Sequence, residues 1–298
     1  MTSMPLKTKL ALLTTVILWG SAYVAIRAAV QNYSPGGLAL LRLLISSVAI
    51  YFVLYRGRKS RPSIQKRDLY RVLFAGAIGI GCYNIALNYG EVFVPAGMAS
   101  FIGSQIPVVT TLLAVFFLGE KINRYGVFGM CLSVVGVALI ALGHHDAHFG
   151  FYLSILYVIF SIFAVGCYNI LQKPLLQKYK AIHLTAYALW GGTIVLLVFL
   201  PNLIHDLQHT TLKATATVVY LGIFPGVVGY STWNYALSTI PASRAASFLY
   251  LMPIFATLIG WIWLGEVPTL MALTGALIAL FGVWVVNQSY KRFVKVSV

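Results

Sequence analysis

Acid is what this chain has least of. Its 298 residues hold 21 Lys and Arg but only 6 Asp and Glu, and charged residues of both signs make up 9%. A soluble domain carries roughly 25% charge. Hydrophobic residues reach 60%, so the chain reads as one dissolved in lipid. Cysteine is scarce too. Cys82, Cys131 and Cys167 are odd in number and lack CxxC spacing. They read as small apolar packing residues rather than a disulfide or metal site. No GxSxG, HExxH or Walker loop occurs, and Gly79-Ile80-Gly81 lacks the third glycine of a dinucleotide fingerprint. His144, His145, His148, His183, His205 and His209 all fall in loops or at span ends, and no Asp or Glu falls at the middle of an apolar run. An intramembrane hydrolase needs a base beside its nucleophile at depth, and a zinc enzyme needs ligands there. Neither an enzyme nor a bound cofactor or metal is expected. His144-His145-Asp146-Ala147-His148 reads as a solvated turn, with a transition-metal site on the outer face as the alternative.

What is present is length and repetition. Apolar runs of about 20 residues, enough to cross a hydrocarbon core, recur near 8–28, 35–55, 69–90, 94–118, 124–143, 149–172, 182–201, 214–238, 242–264 and 269–288. These predict ten spans. With the N-terminus in the cytoplasm, 18 of the 21 Lys and Arg fall inside, as the positive-inside pattern requires. The net charge of +15 therefore implies orientation and contact with anionic lipid, not nucleic acid. Residues 73–142 also align with 219–288 at a fixed offset of 146. Gly76 falls on Gly222, Asn88-Tyr89 on Asn234-Tyr235, Pro107 on Pro253, and Leu118-Gly119-Glu120 on Leu264-Gly265-Glu266. Five spans per half is an odd number, so the second half enters the membrane upside down. An inverted repeat in a membrane chain is the architecture of an alternating-access carrier. The reading is an all-α integral membrane protein of ten helices, two inverted five-helix repeats around a central cavity. Its parts are a first repeat over 1–143, an external linker over 144–148, and a second repeat over 149–298.

Polar groups inside hydrocarbon mark a transport path. The candidate cavity residues are Trp19, Tyr23, Tyr83, Asn84, Ser104, Gln105, Tyr168, Asn169, Tyr230 and Tyr250. Hydroxyls and amides would hold a polar head while rings cover an apolar part. Asn88 and Asn234 are equivalent under the repeat, and read either as gates at opposite mouths or as bonds between neighbouring helices. Pro107 and Pro253 fall near mid-depth, as hinges or as fixed bends beside the cavity. Arg42, Glu120 and Glu266 read as structural charges. Arg42 has the alternative of pairing with an anionic substrate, and the two glutamates could cap a neighbouring helix N-terminus. The absence of a mid-span carboxylate predicts transport without a proton gradient.

Leu18-Trp19-Gly20-Ser21, Pro35 with Arg42, and the paired runs from Pro95 and Pro241 to the two Leu-Gly-Glu triplets resemble the EamA-type drug/metabolite transporters. The resemblance covers nearly the whole chain. It implies ten helices, a cavity lined by spans 1, 3, 4, 6, 8 and 9, and export of small metabolites. Similar members include exporters of aromatic and other apolar amino acids. Two departures stand out. Phe163-Ala164-Val165-Gly166 replaces the Trp-Gly pair in span 6, and span 7 has no arginine matching Arg42. The cavity is therefore expected to be asymmetric. The expected solute is small, partly apolar and neutral or zwitterionic, most simply an amino acid. The expected location is a bacterial inner membrane, with both termini cytoplasmic, as a monomer or homodimer. Alternatives are a sugar-phosphate or nucleotide-sugar antiporter, and a non-transporting membrane sensor or assembly protein.

Overall fold

A computed structural model describes residues 5–56, 64–118, 124–142, 148–240, 245 and 247–296. Glu120, Pro241, Ala242 and the linker stretch 144–147 lie outside the described residues, so their expected roles have no structural counterpart. Among the described residues every regular element is helical. α1 (Leu6–Ala29) and α2 (Pro35–Arg56) come first. Pro35 suits a helix start, where no N–H is needed. The Ser34 hydroxyl accepts from the Gly37 N–H at 3.1 Å, and Asp206 accepts from the Ser34 N–H and hydroxyl at 3.0 and 2.6 Å. Those contacts satisfy the free donors of the first turn.

α3 (Lys66–Gly76) passes through a wider π turn, Ala77–Cys82, into α4 (Tyr83–Gly90). Then come α5 (Ala96–Gly103), α6 (Ile106–Leu118) and α7 (Arg124–Leu142). The second copy follows as α8 (Phe149–Leu176), α9 (Ala181–Leu196), a 3-10 turn Leu197–Phe199, α10 (Leu200–His209) and α11 (Leu212–Leu221). A second π segment, Gly222–Gly229, leads into α12 (Tyr230–Thr239). A 3-10 turn Ser247–Leu251, α13 (Met252–Leu264) and α14 (Leu270–Val296) complete the chain. Both π segments begin at or beside the matched glycines Gly76 and Gly222. Such local widenings recur at functional sites.

The expected span over 94–118 is not one helix. It breaks at Ser104-Gln105, and Pro107 stands in the first turn of α6. Pro253 likewise stands in the first turn of α13. A proline cannot continue the hydrogen-bond ladder behind it, so each opens a half-helix rather than bending a continuous one. Leu6–Ala29, Pro35–Leu54, Lys66–Gly90, Phe149–Leu176, Ala181–His209 and Leu212–Thr239 are long and apolar enough to cross a bilayer. Arg124–Ile140, Phe248–Leu264 and Leu270–Gly282 are shorter apolar helices. Large apolar side chains such as Phe116, Phe117, Ile262 and Leu270 stand fully outward, a surface that suits lipid.

Contacts between the copies come in exchanged pairs. A Cβ on Gly76 would lie 2.0 Å from the Ala188 carbonyl oxygen, and one on Gly222 would lie 2.9 Å from that of Arg42. Both steps, 76 to 222 and 42 to 188, equal 146. A Cβ on Gly136 would meet the Gly275 carbonyl at 2.6 Å, and one on Gly282 would meet the Gly129 carbonyl at 2.6 Å. These are again equivalents. Ser47 and Thr193 are each other's counterparts, and their hydroxyls meet at 2.7 Å. Ser133 donates to the carbonyl of its own counterpart Ala279 at 3.2 Å. Such an exchange of contacts is what a two-fold relation produces. The small residues let α7 and α14 approach backbone to backbone.

Candidate functional site

A cavity opens where α1, α2, α4, α6, α8, α12 and α13 converge. Its wall includes Trp19, Tyr23 and Ile26 of α1, Arg42 of α2, Tyr83 and Leu87 of α4, and Tyr230 of α12. Trp19, Tyr23 and Ile26 recur at helical spacing, as do Tyr83 and Leu87, so each helix offers one face. Glycines make room for the rings. A Cβ at Gly103 would lie 2.2 Å from the Tyr23 hydroxyl oxygen, and one at Gly229 would lie 2.6 Å from Trp19 Nε1. A Cβ at Gly79 would lie 2.0 Å from that of Tyr168.

The rings interlock. Trp19 sits edge-on to Tyr230 with centroids 5.3 Å apart, and 5.4 Å from Trp233. Tyr168 meets Tyr230 edge-on at 6.5 Å. Trp19 Nε1 donates to the Pro225 carbonyl at 3.2 Å, an oxygen inside the second π segment. The free space left is about 20 Å³, room for about one water. A solute therefore enters only when side chains or helices move apart.

The electrostatics are uneven. Arg42 is 3% exposed, and its Nε and Nη1 have no hydrogen-bond partner among the described residues. Buried donors without partners are costly and rare in native proteins. Here they belong to the one cation in the cavity wall.

The two matched asparagines follow cavity-lining positions, Asn88 directly after Leu87 and Asn234 one turn after Tyr230. Asn88 Nδ2 donates to the Pro35 carbonyl at the start of α2, at 3.0 Å. Asn234 Nδ2 donates to Thr185 Oγ1 in α9 at 2.7 Å and to the Tyr168 hydroxyl at 3.3 Å. Each thus tethers its helix to the first turns of the second helix of a copy. Both are fully buried, and each leaves its Oδ1 without a partner.

The model of the EamA-like transporter family matches twice, over residues 6–142 and 152–288. The chain belongs to the EamA-like transporter family. The two matched segments are themselves 146 residues apart. A probable terminal-alkyne amino-acid exporter of Streptantibioticus cattleyicolor is 37% identical, over 93% of this chain and 92% of that one. The uncharacterized transporter YdfC of Bacillus subtilis is 36% identical over 93% and 91%. A probable amino-acid metabolite efflux pump of Escherichia coli is 26% identical over 96% and 97%. A solved crystal structure superimposes with a TM-score of 0.66 at 16% identity, over 96% of this chain and 98% of the other, which is a likeness of fold.

The EamA-family chain is thus a multi-pass membrane transporter, and its candidate residues divide by position. Trp19, Tyr23, Tyr83, Tyr230 and Arg42 line the cavity. Tyr168 and Asn84 stand behind that wall. Asn84 donates to the Ile80 carbonyl at 2.7 Å, within the first π segment. Asn169 accepts from Trp233 Nε1 at 3.4 Å. The Ser104 hydroxyl turns back to the Phe101 carbonyl at 2.6 Å, and Gln105 reaches only Ser104, at 3.5 Å; both sit at the break between half-helices. Tyr250 packs against Val108, away from the cavity. Glu266 accepts from Arg27 Nε at 3.0 Å and from the Ala96 N–H at 2.9 Å, at the start of α5.

One residue escaped the sequence reading of this family member. Glu91 follows the end of the third apolar run, yet it is fully buried, and neither carboxylate oxygen has a partner among the described residues. Its signal was spacing: Tyr83, Leu87 and Glu91 recur every four residues on one face of α4.

Proposed function

We propose that this chain exports small, partly apolar metabolites, amino acids foremost, by alternating access across a bacterial inner membrane. The observation that carries this reading is the cavity. It combines four aromatic side chains with one guanidinium whose Nε and Nη1 lack partners among the described residues. Rings suit an apolar side chain, and the guanidinium suits a carboxylate. The relatives' names point the same way, since two are designated for amino acids or their metabolites.

Ten spans in two inverted copies, with both termini cytoplasmic, fit the observed contacts. Groups expected on the outer side meet one another: Arg27 with Glu266, and Ser34 with Asp206. Groups expected on the inner side do likewise: Asp68 with Lys178 and Tyr179, and Thr8 with Thr239. The two asparagine tethers then sit at opposite mouths, and release of one while the other holds would open one side at a time. A phosphate carrier would require several cations at cavity depth; among the described lining residues Arg42 is the only one.

The test is counterflow in liposomes. Purified protein preloaded with unlabelled amino acid should accumulate labelled amino acid, and protein-free vesicles should not. An absence of counterflow with every apolar and aromatic amino acid would remove the substrate class.

A further inference from the structure

Two buried side chains, Arg42 in the cavity wall and Glu91 just beyond it, carry polar atoms with no hydrogen-bond partner among the described residues. Arg42 lines the cavity with Nε and Nη1 unbonded. Glu91 lies one turn beyond the lining residue Leu87 on the same face of α4, with Oε1 and Oε2 unbonded. No ion pair joins the two among the described residues. The other cation near Glu91 is Arg27. Its guanidinium is already held, by the Glu266 carboxylate and by the backbone carbonyls of Glu91 and Val92.

A buried guanidinium or carboxyl group that leaves polar atoms without partners is costly, and two of them on contacting helices are harder to explain by packing. A ligand that carries both complementary charges on neighbouring atoms resolves both at once. We propose that Arg42 and Glu91 form the two ends of a head-group site for a zwitterion. Arg42 receives the carboxylate and Glu91 receives the ammonium group. The rings of Trp19, Tyr23, Tyr83 and Tyr230 then face the side chain. This assignment rests on the amino-acid reading and sharpens it. A free carboxylate leaves Glu91 unpaired, and a simple amine leaves Arg42 unpaired.

The experiment separates binding from transport. Thermal stabilisation of the full-length purified protein reports affinity through the ligand concentration needed. The probes are phenylalanine and leucine, their deaminated acids, and their decarboxylated amines. The intact protein should prefer each amino acid over both matched analogues by about tenfold or more, as expected when a charged partner is lost from a buried site. Glu91→Gln should erase the preference over the acid while leaving acid binding unchanged. Arg42→Gln should erase the preference over the amine while leaving amine binding unchanged, and Arg42→Lys should retain part of it. Equal affinity of the intact protein for all three compounds overturns the site, and that result needs no variant to fold. A uniform loss of all three compounds in both variants also overturns it, because a structural ion pair behaves that way. Failure of counterflow with these same amino acids, with the crossed binding pattern intact, would instead remove the transport reading and leave the head-group site standing.

Discussion

At Gly103 a single missing carbon decides where Tyr23 stands. A Cβ there would lie 2.2 Å from the tyrosine hydroxyl, the free end of a side chain that can swing. The cavity that Tyr23 lines is the space beside it. Gly103→Ala should therefore leave thermal stability nearly unchanged and weaken amino-acid binding about tenfold, measured by the same ligand stabilisation. Gly76 is a different case. Its added carbon would strike the Ala188 backbone at 2.0 Å, and backbone cannot step aside. Gly76→Ala should destabilise by about 1–3 kcal/mol, the usual cost of overpacking. Gly260 offers the contrast, because its nearest neighbour to a new Cβ is 3.8 Å away. Gly260→Ala should be neutral, or stabilising by up to about 1 kcal/mol through helix propensity. Unfolding of the three variants in one detergent checks the order. If Gly76→Ala proves as harmless as Gly260→Ala, the backbone contact is not what the distances imply.

Among elements, the proposed gating rests on the asparagine tethers. Cysteines placed at 88 and 234 should change reactivity toward a membrane-impermeant reagent in opposite directions when the carrier is driven from one side to the other. Parallel changes would remove both residues from the gating scheme. The two copies, the helical class and the long apolar helices were legible in the sequence, because spacing and residue type are one-dimensional facts. The wall aromatics Trp19, Tyr23, Tyr83 and Tyr230 were legible for the same reason, since deep rings with polar tips are rare in lipid-facing helices. The break before Pro107 was not. A lone proline specifies a lost hydrogen bond, and only packing decides whether the helix bends or restarts. Glu91 was missed because its position along the chain said outer loop. Its burial comes from helices far away in sequence, which close over it only in three dimensions.

Across the whole molecule, the exchanged contacts tie equivalent positions to equivalent consequences. Gly136 and Gly282 each face the partner copy's backbone at 2.4–2.6 Å. Gly136→Leu and Gly282→Leu should therefore lower the unfolding temperature by similar amounts, and an asymmetric result would argue that the seam is not shared equally. The same reasoning predicts that residues 1–143 and 149–298, produced as two separate chains, purify together and regain counterflow. Recovery of either half alone, monodisperse and stable, would show that each closes its own core.

The seam also dictates when synthesis can finish the molecule. α7 docks along α14, which leaves the ribosome long after it. Until Leu270 and the residues after it arrive, the Gly129–Gly136 strip waits in the bilayer with lipid where its mate belongs. Nascent chains stalled before residue 270 should thus be seized by membrane quality control, and the cell will hold few half-built pumps.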